Sequence, residues 1–173
     1  MDFLEIATQR FSVRHFLDKK VENDKLENIL NAGKLAPTSG NVQPHKILVI
    51  QDPIYLDKLT GATNTYHAPL VLIVCGDHRN LWERSYDKKN LLDIDVSIVT
   101  DHMMLEAFTQ GLGSVWICLF NPYIIKSAFN IPDYLEPINI LAIGYPAEDA
   151  FSLNVYHNNR KSLDETVVYN SFR

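Results

Sequence analysis

The chain has 173 residues, 46% hydrophobic and 21% charged, the balance of a water-soluble globular protein long enough to bury one sizeable core. With 16 Lys and Arg against 21 Asp and Glu, the net charge is −5, which argues against a nucleic-acid partner but leaves room for a phosphate ligand held by a few local cations. No apolar run approaches the ~20 residues that span a bilayer, and charges throughout the first 20 positions exclude a signal-peptide core; the expectation is a cytoplasmic protein without a membrane partner.

In chain order, Asp2 and Glu5 have the spacing of a capping box without its hydroxyl. They open a first helix that carries Phe3, Leu4, Ile6 and Ala7 and ends near Arg10. Asn23 or Asp24 caps a second helix, with Leu26, Ile29 and Leu30 on one face. Pro37 stops it, because the residue before a proline is pushed out of the helical region. The run from Lys46 to Ile50 is rich in β-branched residues and reads as a buried strand. Asp52-Pro53 opens a short helix to about Thr60, closed by Gly61. Leu70 to Cys75 is a second strand, and its unbroken apolar run predicts cover on both faces. Residues 78–93 are polar without periodicity, a mobile loop or a short helix.

A long helix is predicted from Asp95 to Gln110, stopped by Gly111. Val96, Val99, Met103 and Ala107 share one stripe, but Ile98, Leu105 and Phe108 lie on other faces. Such a helix is central, or shared with a second subunit. Val115 to Phe120 reads as a third strand, and Asn121-Pro122 as the capped start of a helix to about Phe129. Ile138 to Ile143 is a fourth strand. Beyond Pro146 no periodic pattern persists, and residues 147–173 read as an extended arm that must dock on something. The whole is expected to be a single domain, residues 1–173. Cys75 and Cys118 both lie in apolar runs and read as buried free thiols, with no disulfide framework or zinc site indicated.

Two stretches invite chemistry. Between helix and strand, Thr38, Ser39, Asn41 and Gln43 crowd hydroxyls and amides around Gly40. Such a loop can surround a polar, planar, uncharged ring, or be an ordinary turn. Arg10-x-Ser12-x-Arg14 sets two guanidiniums and a hydroxyl at alternate positions. In extended chain these point the same way and suit a phosphate; a solvated basic turn is the other reading. Gly111-x-Gly113-Ser114 follows a helix and precedes a strand, the reverse of a helix-dipole phosphate loop. Asp93-x-Asp95 and Asp101-His102 lack a further metal ligand at sensible spacing and are explained by helix surface and capping. No GxSxG elbow supports a Ser-His-Asp hydrolase.

In order along the chain, Arg10-Phe11-Ser12-Val13-Arg14, Pro37-Thr38-Ser39-Gly40-Asn41, Gly111-Leu112-Gly113-Ser114-Val115-Trp116-Ile117 and Leu141-Ala142-Ile143-Gly144-Tyr145-Pro146 together resemble the flavin-dependent nitroreductase family, over nearly the whole chain from Phe3 to Val168. The resemblance implies that Arg10 and Ser12 hold the phosphate of FMN, and that Arg14 lies nearer the N1 and O2 edge of the flavin, where negative charge collects on reduction. It implies that Pro37, Thr38, Ser39 and Asn41 contact the FMN bound mainly by the other subunit, and that Gln43 reaches ribityl hydroxyls. Trp116, Ile117, Cys118 and Leu119 would run under the flavin, with a backbone N–H facing N5. Many relatives have glycine at the last two positions, or a carboxylate at the first of them, so Cys118 and Leu119 would narrow substrate access. Asn64 falls near a flavin contact. Arg160 matches a phosphate-binding arginine, whose companion cation two positions earlier is replaced by Asn158. His45 stands where the family often has an aromatic.

The fold expected from this resemblance is α+β, a mixed central sheet flanked by helices, in an interlocked homodimer with FMN at the interface. The expected activity is FMN-dependent transfer of hydride from NADH or NADPH, through flavin N5, to nitroaromatic, quinone or similar small-molecule acceptors. Donor and acceptor would take turns in one site, with no acid–base pair, since the flavin carries the chemistry. A non-catalytic flavin-binding or redox-sensing protein is the alternative.

Overall fold

Four strands form one sheet in the order β1-β2-β4-β3, with β1 at His45–Ile50, β2 at Leu70–Asp77, β3 at Gly113–Ile117 and β4 at Leu135–Gly144. The computed structural model describes residues 1–150 and 160–172. β2 is buried along its whole length, as its unbroken apolar run requires. Its alternate residues enter two cores. Leu70, Leu72 and Val74 pack with Leu141, Ile143, Val96, Val99 and Met103 on one face. Val71, Ile73 and Cys75 pack with Ile140, Ala142, Leu59 and Ile125 on the other.

The resemblance implies a mixed sheet, but among the described residues all three strand pairs of the sheet are antiparallel. Among the described residues, the parallel pairing is an isolated bridge between Ser12 and Ser114. An unbroken apolar strand reports that both faces are covered; it does not report strand direction.

The helices are α1 (Phe3–Gln9), α2 (Asn23–Leu35), α3 (Pro53–Asp57), α4 (Leu92–Thr109), α5 (Pro122–Phe129) and α6 (Leu163–Thr166). The capping box on α1 is complete: Asp2 accepts from the Glu5 N–H at 2.9 Å and Glu5 accepts from the Asp2 N–H at 2.8 Å. α2 differs. Its N-cap is Glu22, without a side-chain cap bond, rather than Asn23 or Asp24. The Glu22 carboxylate instead accepts from the Tyr145 hydroxyl at 2.7 Å, a contact from the far end of the chain. α4 begins earlier than expected because the Asn90 side chain takes the Leu92 N–H at 2.7 Å. α2 runs antiparallel along α4: Lys25 reaches the Gln110 carbonyl at 2.7 Å and Ser39 reaches Asp95.

β3 stops at Ile117, three residues short of the expected Phe120. Thr63 Oγ1 donates to the Leu119 carbonyl at 2.8 Å and the Asn121 N–H donates to Ala62 at 2.9 Å, which turns the chain off the sheet. Cys118 is therefore exposed, not buried, whereas Cys75 is buried and burial pushes its thiol up to about 12. Residues 78–91 form turns with a Glu83–Asn90 bridge, and Leu92 and Asp93 already belong to α4. The arm is not pattern-free: Ser162 and Glu165 form a capping box on α6. Among the described residues no helix is long and apolar enough to cross a membrane.

Candidate functional site

The segment after α1 is held against β3. Val13 donates its N–H to the Ser114 carbonyl at 2.9 Å and is buried, so Ser12 and Arg14 turn the other way, as alternation in extended chain requires. Gly113 permits this approach. A Cβ there would lie 2.4 Å from Val13 Cγ2. Arg10 is half-buried at the mouth of a cavity of about 320 Å3 that Phe11, Phe108, Gly113 and Ser114 also line. Burial lowers the pKa of its guanidinium; Asp101 opposes that and the charge of Arg160 adds to it. Arg10 and Arg160, from opposite ends of the chain, therefore sit within electrostatic reach of each other. Asn158 lies outside the described residues. Arg14 is exposed and donates to the Ser12 carbonyl at 3.4 Å.

The loop after α2 is a strained turn held from several sides. Gly40, Asn41 and Gln43 have φ of 58°, 56° and 54°. For a non-glycine residue this region costs about 1–2 kcal/mol. Thr38 closes the turn, its Oγ1 accepting from the Gln43 N–H at 3.0 Å and its carbonyl from the Asn41 N–H at 2.9 Å. The Gln43 amide donates back to the Asn41 carbonyl at 3.1 Å and to its Oδ1 at 3.3 Å. The Trp82 ring packs over Gly40, where a Cβ would come within 2.9 Å of it. Beneath, Asp95 Oδ1 accepts both the Ser39 N–H and the Ser39 hydroxyl at 2.8 Å. Strain so firmly over-determined marks functional loops. Pro37, Asn41 and Gln43 face solvent.

The third part lies beyond the end of β3. Trp116 spends its indole N–H on Asn139 Oδ1 at 2.9 Å, and Ile117 is 8% exposed. Their side chains belong to the core, which leaves backbone to meet a ligand. Leu119 is 90% exposed. It lines a shallow pocket of about 560 Å3 with Thr63, Asn64 and Tyr123.

The residues singled out in the sequence thus form three groups. Arg10 and Ser12 lie near one end of α4 with Arg14 beside them, and Arg160 is within electrostatic reach of Arg10. Pro37 to Gln43 gather at the other end, about 20 Å away at the rise of a helix. Asn64 and Leu119 meet at the far end of β3. A profile of the nitroreductase family matches residues 7–63 and 55–145.

The chain belongs to the nitroreductase family.

Family members of known structure superpose closely. A nitroreductase family protein from Clostridium difficile 630 is 49% identical, with a TM-score of 0.95 over 99% of this chain and 100% of that one. An FMN-dependent nitroreductase from C. difficile R20291 is 25% identical, with a TM-score of 0.82 over 98% and 100%. The FMN reductase [NAD(P)H] of Bacillus subtilis strain 168 is 26% identical over 85% of this chain and 67% of its own. Sequence reasoning placed Asp95 on a helix surface, yet it is 1% exposed under the polar loop. An acidic residue in the first turn of an otherwise apolar helix was the available signal, and helix capping explained it equally well. Asn139, buried in β4 and joining Trp116 to Thr100, had no signal beyond being polar in an apolar strand.

Proposed function

We propose that this nitroreductase-family protein is an FMN-dependent oxidoreductase that draws hydride from NADH or NADPH and delivers it to nitroaromatic, quinone or similar acceptors. The observation that carries the reading is that Arg10, half-buried two positions before Ser12, feels the charge of the exposed Arg160 from the far end of the chain. Like charges within reach of each other repel, and a dianionic phosphate between them would remove that cost. The donor set fits a monophosphate and offers nothing for an adenine. The names of relatives in the same family support it.

FMN, when bound, supplies the hydride chemistry. The chain's task is to bind, orient and neutralise. Arg10, Ser12 and Arg160 would hold the phosphate. From Ser114 the strand β3 runs about 10 Å at the strand rise to Ile117, with Cys118, Leu119 and Asn64 beyond its end, a track for the ribityl chain and ring. Arg14, on the same side as Ser12, would counter the negative charge a reduced ring gathers. The loop residues Pro37, Thr38, Ser39, Asn41 and Gln43 lie about 20 Å from the phosphate cluster along α4. That distance supports a composite site in a homodimer, each loop serving the partner's cofactor. Leu119 would restrict which acceptors reach the ring.

The purified protein is expected to be yellow and to release FMN on heating. Chromatography of the released cofactor decides this: FAD, or no flavin after incubation with FMN, ends the proposal. Steady-state NAD(P)H oxidation with a quinone separates an enzyme from a flavin-binding protein without turnover.

A further inference from the structure

Asp95 is 1% exposed in the first turn of α4. A carboxylate is rarely buried so fully unless something is gained by it. Its Oδ1 accepts two hydrogen bonds, both from Ser39, while its Oδ2 is buried without a partner among the described residues. On a solvated helix the same residue would incur no such cost. The bonds it makes fall in the middle of the loop whose Gly40, Asn41 and Gln43 are held at positive φ. Because a carboxylate oxygen only accepts, the Ser39 hydroxyl must donate to it. Ser39 Oγ is then left with lone pairs alone to offer a ligand.

We propose that Asp95 is a positioning residue for the flavin ring: by holding the N–H and hydroxyl of Ser39 from below, it fixes the Thr38–Gln43 loop in the shape that meets the isoalloxazine. This rests on the reading that the protein binds FMN through that loop. What the loop needs from Asp95 is an acceptor oxygen at Oδ1, so an amide serves as well as a carboxylate.

The test uses the full-length apoprotein, titrated separately with FMN, riboflavin and inorganic phosphate, for the wild type, Asp95→Ala, Asp95→Asn, Ser39→Ala, the Asp95→Ala/Ser39→Ala double variant and Arg10→Ala. Asp95→Ala should weaken FMN and riboflavin by the same factor, about tenfold or more for hydrogen bonds to a charged group, and leave phosphate affinity unchanged. Asp95→Asn should stay within about threefold of the wild type, since its Oδ1 still accepts. Ser39→Ala, which keeps its backbone N–H on Asp95, should fall between the wild type and Asp95→Ala, and the double variant should be no worse than Asp95→Ala alone, as coupled partners require. Arg10→Ala should weaken FMN but not riboflavin. If Asp95→Ala binds FMN as the wild type does, or loses phosphate and flavin alike with a lowered melting temperature, Asp95 has no positioning role. If Asp95→Asn fails as badly as Asp95→Ala, the acceptor argument is wrong. Should the wild type itself not bind FMN, the functional reading fails first, and the two failures are told apart by that control.

Discussion

At the scale of single residues, the polar loop and the strand after it share an unusual interior. His45 opens β1 directly after the loop. It is half-buried, and its Nδ1 has no partner among the described residues. Burial, then the charge of Lys46, lowers its pKa below 6.5, against an upward pull from Asp95. The unfolded chain therefore binds this proton more readily than the folded one. Between the folded pKa and 6.5 stability falls as the pH falls; above that window neither state is protonated, and below it both are. A His45→Phe variant should lose less melting temperature than the wild type on going from about pH 7.5 to about pH 5.5, a range that brackets an ordinary imidazole. Equal losses in the two proteins would show that His45 titrates as an exposed imidazole does.

At the scale of elements, α4 links two of the three groups of candidate site residues. Val96, Val99, Met103 and Ala107 lie against the sheet with no exposure. Val96, Val99 and Met103 each contribute about 1.5–3 kcal/mol by leaving water. A helix anchored that firmly holds Asp95 at one end and the wall of the Arg10 cavity, at Phe108, at the other. α5 is a simpler case, where local rules decide the outcome. Asn121 accepts from the N–H groups of Tyr123 and Ile124 at 3.1 and 3.3 Å, and Pro122 occupies the first helical position. Asn121→Ala should cost about 1 kcal/mol, read from the midpoint of denaturant unfolding. A loss below ~0.3 kcal/mol would mean the proline alone sets the helix start.

At the scale of the whole molecule, the chain leaves apolar surface that a neighbour can cover. Leu163, Tyr169 and Phe172 in the arm are 79%, 84% and 88% exposed, as are Phe3 and Leu4 in α1 at 65% and 73%. A composite dimer site makes a sharp prediction. One subunit carries Arg10→Ala with Arg160→Ala and lacks the phosphate grip. Its partner carries Ser39→Phe with Asn41→Phe and lacks the ring contacts that it lends. In the mixed dimer one cleft collects both defects and the other none. Refolding the two inactive variants together should restore about one flavin per heterodimer, as an isologous pair requires. Heterodimers that form but regain neither flavin nor activity would place both sets of residues within one cleft of one chain.

The sequence by itself determined whatever depends on neighbours within about four positions, because capping, proline stops and apolar periodicity act over one helical turn or a few strand residues. The Asp2 and Asn121 caps, the end of α2 before Pro37 and the buried run of β2 were legible on that account. So was the family, through the order of the Arg10, Ser12 and Ser39 motifs along the chain. The tertiary structure alone decided the rest, because those outcomes depend on partners brought from far along the chain. The antiparallel pairing of every strand, the loss of Glu22 to Tyr145 and the exposure of Cys118 where Thr63 turns the chain are of this kind. The same holds for the two features that matter most to the site. Arg10 is within reach of Arg160, 150 positions away in the numbering, and Ser39 is tied to a carboxylate 56 positions away. No local pattern encodes either one, since each exists only once α2, α4 and β3 have packed around a common core.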